Sequence, residues 1–184
     1  APTLDAATRE ALCASAVALA HSIHYRGAGT LEYLYDEARQ AFYFIEMNTR
    51  IQVEHPITEM VTGVDLVKEM LHIAAGTPLR LSQQDISLRG AAIECRINAE
   101  NARQNFAPNI GTVTGLAWPG GPGVRVDTLL YDGYAVSPFY DSLLAKIIVW
   151  DNSRSELLAR LQRALSETHI DGLTTTLPLH QALL

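Results

Sequence analysis

Phe44 to Thr58 reads FIEMNTRIQVEHPIT, with Glu46, Asn48, Arg50, Gln52 and Glu54 at every second position. Successive side chains on an extended chain point to opposite faces, so a strand here would line these five along one side and turn Ile45, Met47, Ile51 and Val53 to the other. A merely solvated strand would show the same alternation. The residue types argue for more than solubility. Carboxylates and amides are oxygen donors for a hard cation, and a guanidinium is a fork of donors for an oxyanion, where Lys, Ser and Thr would suffice for contact with water.

Working outward, Thr30 to Tyr35 (TLEYLY) is β-branched and aromatic, DEARQ is a polar turn, and AFYFIEMN resumes the β pattern. This predicts a β-hairpin. Pairing about Arg39 sets Glu32 opposite Glu46, and a slip of two residues sets it opposite Asn48. Either register gathers acids, and like charges directly opposite destabilise a sheet unless something neutralises them. A hard divalent cation is the simplest neutraliser, so Glu32, Glu46 and Asn48 are the expected ligands of magnesium or manganese. Arg50 suits a small carboxylate-like anion, and Glu54 on the same strip could take a proton from it. Bicarbonate, a poor nucleophile until it is deprotonated or held by cations, fits that description. A plain ion pair from Arg50 to Glu54 or Glu46 is the structural alternative.

Elsewhere, Leu12, Ala16, Leu19 and Ile23 recur at helical spacing over residues 5–23, with Asp5 or Thr3 as cap and the Gly27 and Gly29 turn as terminator. Asp65 caps a second helix with Leu66, Val67, Met70, Leu71 and Ala74 on one face, closed by Gly76 and Pro78. Residues 77–88 read as a linker. Beyond it AAIECRI, GTVTGLAW, GVRVDTLL and LLAKIIVW are β-like, PGGPG is a turn, and Ser153 with Glu156 opens a last helix with Leu157, Leu158, Leu161 and Leu165 inward. Lys146 is read as structural, and His21 and His24 lack a third ligand at metal-binding spacing.

Composition narrows the class. The 184 residues carry 20 acidic against 14 basic side chains, a net charge of -6, which argues against a nucleic-acid or anionic-membrane partner. Cys13 and Cys95 form no CxxC pair and read as small buried residues. No stretch is long and apolar enough to span a bilayer, and none has the pattern of a signal peptide. Ala at position 1 fits an excised or processed piece, or removal of an initiator Met.

The strings EMNTRIQVEHPITEMVTGVDLVKEML, AAIECRINAE and YDSLLAKIIVW occur in that order. With them the chain resembles, over nearly its whole length, the C-terminal part of the biotin carboxylase component of biotin-dependent carboxylases such as acetyl-CoA carboxylase. The resemblance implies an α+β fold: residues 1–80 as the end of an ATP-grasp domain, an antiparallel sheet with helices that carries the metal and bicarbonate site, and residues 81–184 as the biotin carboxylase C-terminal domain. It assigns Glu32, Glu46 and Asn48 to Mg²⁺ or Mn²⁺, with Glu32 and Glu46 also at the nucleotide. Arg50 would bind bicarbonate beside Gln52 and the backbone N–H of Val53. Glu54 would deprotonate bicarbonate for attack on the γ-phosphate of ATP, giving carboxyphosphate and then carbon dioxide. Arg96 would stabilise the biotin enolate, and Leu34 and Ile170 would touch the adenine, a role for which core packing is an equal alternative.

The partners so implied are a biotin carboxyl carrier protein or domain, a carboxyltransferase component, the N-terminal part of the same enzyme and a second copy in a homodimer. The implied setting is fatty acid biosynthesis in the cytoplasm, or the mitochondrial matrix for a eukaryotic acyl-CoA or pyruvate carboxylase. Because the chain holds neither that N-terminal part nor the lid whose glycines and lysines grip ATP, it is expected not to turn over ATP alone. Two other readings stand beside this ligase: a non-catalytic dimerisation or carrier-docking module, and another ATP-grasp ligase that uses bicarbonate, which ECRINAE disfavours.

Overall fold

The computed structural model describes residues 3–184. Its helices are α1 Ala6–Ser22, α2 His55–Thr62, α3 Leu66–Ala74, α4 Arg154–Glu167 and α5 Leu177–Ala182. Its strands are β1 Thr30–Asp36, β2 Ala41–Asn48, β3 Ala91–Asn98, β4 Glu100–Asn101, β5 Ala107–Pro108, β6 Gly115–Ala117, β7 Val124–Thr128, β8 Leu143–Asp151 and β9 His169–Asp171. The chain divides into two compact units. One runs to His55 and resumes over Asp65–Asp85; the other takes Pro56–Val64 and Ile86–Leu184. Among the described residues no helix is long and apolar enough to cross a membrane.

The first unit holds α1, the β1–β2 hairpin and α3. Asp5 caps α1, its Oδ1 accepting from the Thr8 amide at 2.6 Å. The helix ends earlier than the glycine turn predicts, because His24 takes the left-handed position at φ 51°. The Tyr25 amide then reaches the Ala20 carbonyl at 2.9 Å and the His24 amide the His21 carbonyl at 3.1 Å, the paired bonds of a Schellman ending. Gly29 serves a different need: a Cβ there would sit 2.7 Å from the Met47 side chain. In α3 the expected cap and stop both hold. The Asp65 carboxylate accepts from the Lys68 amide at 2.9 Å, and Gly76 ends the helix at φ 82°.

The expected inward faces of this unit are only partly covered: Leu12, Ala16, Leu19, Leu66 and Met70 are half-buried. Leu71 on α3 is 66% exposed, Cys13 is exposed rather than buried, and none of the unit's described residues is buried. Edge-on aromatic contacts of Tyr33 with Phe42 and Phe44, at 5.6 and 5.9 Å between centroids, tie the hairpin together.

The second unit carries the core. Its main sheet is antiparallel in the order β3-β8-β7, and the central β8 is the nearly continuous apolar run LLAKIIVW, as a strand covered on both faces should be. Cys95, Ile97, Ala145, Ile147 and Val149 pack on Leu157, Leu161, Ala164 and Leu165 of α4 and Leu177 of α5. Leu158 is 37% exposed, a departure from the expected inward set: it lies at the edge of the stripe that 157, 161, 164 and 165 form. Burial, and next to it the charge of Glu94, pushes the Cys95 thiol up to about 11, so this sulfur is inert packing. A second cluster gathers Ala99, Val113, Leu130 and Leu144. Of GTVTGLAW only Gly115–Ala117 pairs, with β9, while Thr112 bridges Ala135. Gly172, at φ 93°, lets β9 approach so closely that a Cβ would strike the Thr112 carbonyl.

Candidate functional site

The hairpin adopts the register that sets Glu32 opposite Glu46, with Thr30 opposite Asn48 and a bulge at Glu32/Tyr33. Bulges re-aim side chains where they interrupt a ladder, and here all three expected ligands converge. The Asn48 side-chain amide donates to Glu32 Oε1 at 2.8 Å and lies 3.4 Å from Glu46 Oε1. Two carboxylates that would repel are thus bridged by one amide. No cluster of three or more His, Cys, Asp or Glu occurs among the described residues, so the third oxygen donor of this set is an amide.

The five-residue strip is not one strand. β2 stops at Asn48 because its partner β1 begins at Thr30, and the chain from Thr49 to Glu54 leaves the ladder. Arg50 nevertheless stays beside Asn48. It donates to Gln52 Oε1 at 2.9 Å, to the Ile51 carbonyl at 3.1 Å and to Asn48 Oδ1 at 3.5 Å. All three acceptors are uncharged, so these bonds orient the guanidinium without cancelling its charge. Asn48 is the joint, its nitrogen on the acid pair and its oxygen on the guanidinium. Val53 and Glu54 follow directly, in the turn that leads into α2. Leu34, on β1, is 62% exposed, whereas Ile170 is half-buried against both apolar clusters.

Arg96 lies in the second unit, on the face of the main sheet turned away from α4. Its Nε is 3.7 Å from Glu94 Oε1, and its carbonyl accepts from Thr176 Oγ1 at 3.2 Å and His180 Nε2 at 2.8 Å. The same face carries ion pairs that sequence reasoning missed. Arg125 forks onto Asp127 at 2.7 and 2.8 Å and onto the buried Glu59 of α2 at 2.6 Å, and Lys146 lies 3.5 Å from Asp127. The signal was the alternation Arg125, Asp127 in GVRVDTLL, but the strand order needed to pair it lies outside any local pattern.

Burial by itself would raise the Asp127 carboxyl; the Arg125 fork and Lys146 outweigh it and hold the group below its ordinary value. A carboxyl depressed on folding contributes stability that is complete above its unfolded value of about 3.9 and drains as pH falls through the lower folded value. Asp127→Asn should therefore flatten the acid limb of urea-unfolding stability below about pH 4. A limb as steep as the wild type's would assign that loss to other acids.

Residues 94–184 match the family described as Biotin carboxylase C-terminal domain, and residues 1–82 the one described as Carbamoyl-phosphate synthase L chain, ATP binding domain. "Biotin carboxylase 1" of Bacillus subtilis strain 168 is 52% identical over 183 residues, which is 100% of this chain and 41% of that protein. Residues 94–184 belong to the biotin carboxylase C-terminal domain family. A second relative, the "Biotin carboxylase" of a Nostoc species, is 53% identical over 183 residues, 100% of this chain and 41% of its own length. The segment thus spans about two fifths of these relatives. Among solved structures, the biotin carboxylase domain dimer of the Hydrogenobacter thermophilus 2-oxoglutarate carboxylase, in complex with MgADP, ADP and bicarbonate, aligns with a TM-score of 0.92 at 49% identity. The alignment covers 98% of this chain and 40% of that one. The mixed helix and antiparallel-sheet architecture is therefore that of biotin carboxylases, as the resemblance implied.

Proposed function

We propose that the protein containing this segment is a ligase that uses ATP and bicarbonate to carboxylate biotin presented on a carrier protein or domain. The observation that carries the proposal is the joint at Asn48: an acid pair suited to a cation and a guanidinium suited to an oxyanion share one amide, side by side. Glu32, Glu46 and Asn48 would hold Mg²⁺ or Mn²⁺, the Asn48 amide turning over so that its oxygen replaces its nitrogen beside the carboxylates. They fit, being hard oxygen donors already gathered by the hairpin register. The cation would supply charge neutralisation for the nucleotide phosphates.

In this reading Arg50 holds bicarbonate with Gln52 and the Val53 amide, and Glu54 takes its proton as the bicarbonate oxygen attacks the γ-phosphate. Carboxyphosphate forms, ADP leaves, and the carboxyphosphate breaks down to carbon dioxide and phosphate. Arg96 faces the negative charge that develops on the biotin ureido oxygen as the released phosphate takes the ureido N–H proton and the nitrogen bonds to the carbon of carbon dioxide, so its positive charge acts where charge appears only in the transition state. Leu34 and the accessible part of Ile170 would flank the adenine. A homodimer and a separate carboxyltransferase component belong to the same reading, as does a cytoplasmic or mitochondrial-matrix setting. Support comes from the relatives: the Hydrogenobacter thermophilus domain was solved as a dimer with MgADP and bicarbonate.

The direct test is phosphate release from ATP by the full-length protein. It should depend on bicarbonate and yield carboxybiotin from free biotin; ATP turnover that ignores both would overturn the proposal. The cation site is checked separately on the 184-residue chain by titrating Mn²⁺ in an EPR assay. Removing one of two carboxylates should weaken binding by about tenfold, roughly 1.4 kcal/mol, in Glu46→Gln. Unchanged affinity would move the cation off the hairpin and favour a docking module.

A further inference from the structure

We propose that Glu94 is the positioning residue of Arg96, setting the direction of its guanidinium toward the substrate; this rests on the assignment of Arg96 to biotin made above. Glu94 and Arg96 alternate on β3 and so share a face. In the register Arg96 pairs with Lys146 and Glu94 with Ile148 on β8, while Asp127 pairs with Lys146 and Arg125 with Ile148 on β7. Arg96 and Lys146 are thus like charges set directly opposite, an unfavourable arrangement unless each is drawn to its own acid. The geometry does that. Lys146 leans across to Asp127 at 3.5 Å, and Arg96 is held on its own strand by Glu94 at 3.7 Å.

The two partners of the Arg96 pair differ sharply in burial. The Glu94 side chain is 4% exposed and that of Arg96 47%. A carboxylate that deep cannot swing into water without leaving its packing, and its charge is tolerated only with a cation beside it. It therefore acts as a fixed anchor for a mobile side chain, and long Arg side chains lose much rotamer freedom when held. The contact is to Nε, the inner edge of the guanidinium. Because the guanidinium is a rigid plane, a contact at Nε turns the outer edge, with its two terminal nitrogens, away from Glu94. That outer edge is the one a developing oxyanion can take in a two-bond grip. The other end of the residue is pinned as well, by Thr176 and His180 on the Arg96 carbonyl. Main chain and inner guanidinium edge are thereby both held, on a side chain that is 47% exposed.

The test uses the full-length protein and two assays: bicarbonate-dependent ATP hydrolysis without biotin, and carboxylation of free biotin. Glu94→Gln keeps the shape and removes the anchoring charge. It should lower kcat for biotin carboxylation by about tenfold, less than the roughly 100-fold or more that loss of a charge-stabilising donor itself costs, while biotin-independent hydrolysis and KM for bicarbonate stay at the wild-type values. Arg96→Gln should lose more, and the double variant should match Arg96→Gln alone, because Glu94 acts only through Arg96. Should Glu94→Gln fail to fold, Glu94→Asp, which withdraws the charge by one methylene, is read by the same two assays and should show a smaller loss of biotin carboxylation. A wild-type carboxylation rate in the variant read, an equal fall in both assays, or additive losses in the double variant would each overturn the positioning role. If instead Arg96→Gln carboxylates biotin normally, the assignment of Arg96 itself fails.

Discussion

Arg50→Lys in the full-length protein is expected to lower kcat/KM for bicarbonate by about 100-fold while KM for ATP stays within about threefold. The charge survives this substitution and the fork does not. In the structure the guanidinium is aimed by three uncharged acceptors, Gln52 Oε1, the Ile51 carbonyl and Asn48 Oδ1, so its orientation is settled before any anion arrives. An ammonium on a flexible stem cannot keep those contacts and also grip two oxygens of one anion. Hydrogen bonds to charged groups contribute about 1.5–3 kcal/mol each, and losing one of them corresponds to roughly 10- to 150-fold. Gln52→Ala should cost less, because Gln52 orients the guanidinium and an alternative acceptor remains. Steady-state kinetics against bicarbonate decide the matter: an Arg50→Lys enzyme within about threefold of wild type in kcat/KM would remove bicarbonate from Arg50.

The same residues show what a linear pattern carries. The hairpin was legible because TLEYLY and AFYFIEMN are β-formers around a polar turn, and the acid pair followed from pairing about Arg39. The end of the strand was not. Alternation continues through Arg50 to Glu54, but a ladder lasts only as long as its partner, and where β1 starts is written well upstream, at Thr30 opposite Asn48. Arg50 reaches the site by curling back onto Asn48, and no two-residue period encodes that curl.

The charged face of the second unit was hidden for a related reason. Its members sit on β3, β7, β8 and α2; their pairing depends on the non-sequential order β3-β8-β7, and the Arg125 to Glu59 contact needs α2 as well. Periodicity also told which side of α3 is apolar without telling what covers it. The same signal that correctly buried Leu157 and Leu161 left Leu71 exposed.

That exposure sets up the second large effect, in hydrogen exchange of the 184-residue chain. The buried clusters lie on the main sheet, on α4 and α5, and around Ala99 to Leu144, whereas none of the described residues of the first unit is buried. Helices of 17 and 9 residues whose apolar faces are only half-buried gain little from packing, and a lone two-stranded hairpin is marginal in water. Amides of β8 should open only with global unfolding, and those of α1, β1 and β2 by local opening at little cost. Protection should therefore differ by about 1000-fold or more between the Ile147 and Tyr33 amides, since about 4 kcal/mol separates a local from a global opening. The consequence reaches the cation site, because Glu32 and Glu46 are held opposite each other by that hairpin alone. Mn²⁺ affinity falls by the fraction of chains in which the hairpin is closed, so added Mn²⁺ should raise the protection of β1 and β2 and leave that of β8 unchanged. Protection equal in both units before any metal is added would show one cooperative fold, and the weakness of cation binding in Glu46→Gln would then report the lost carboxylate alone.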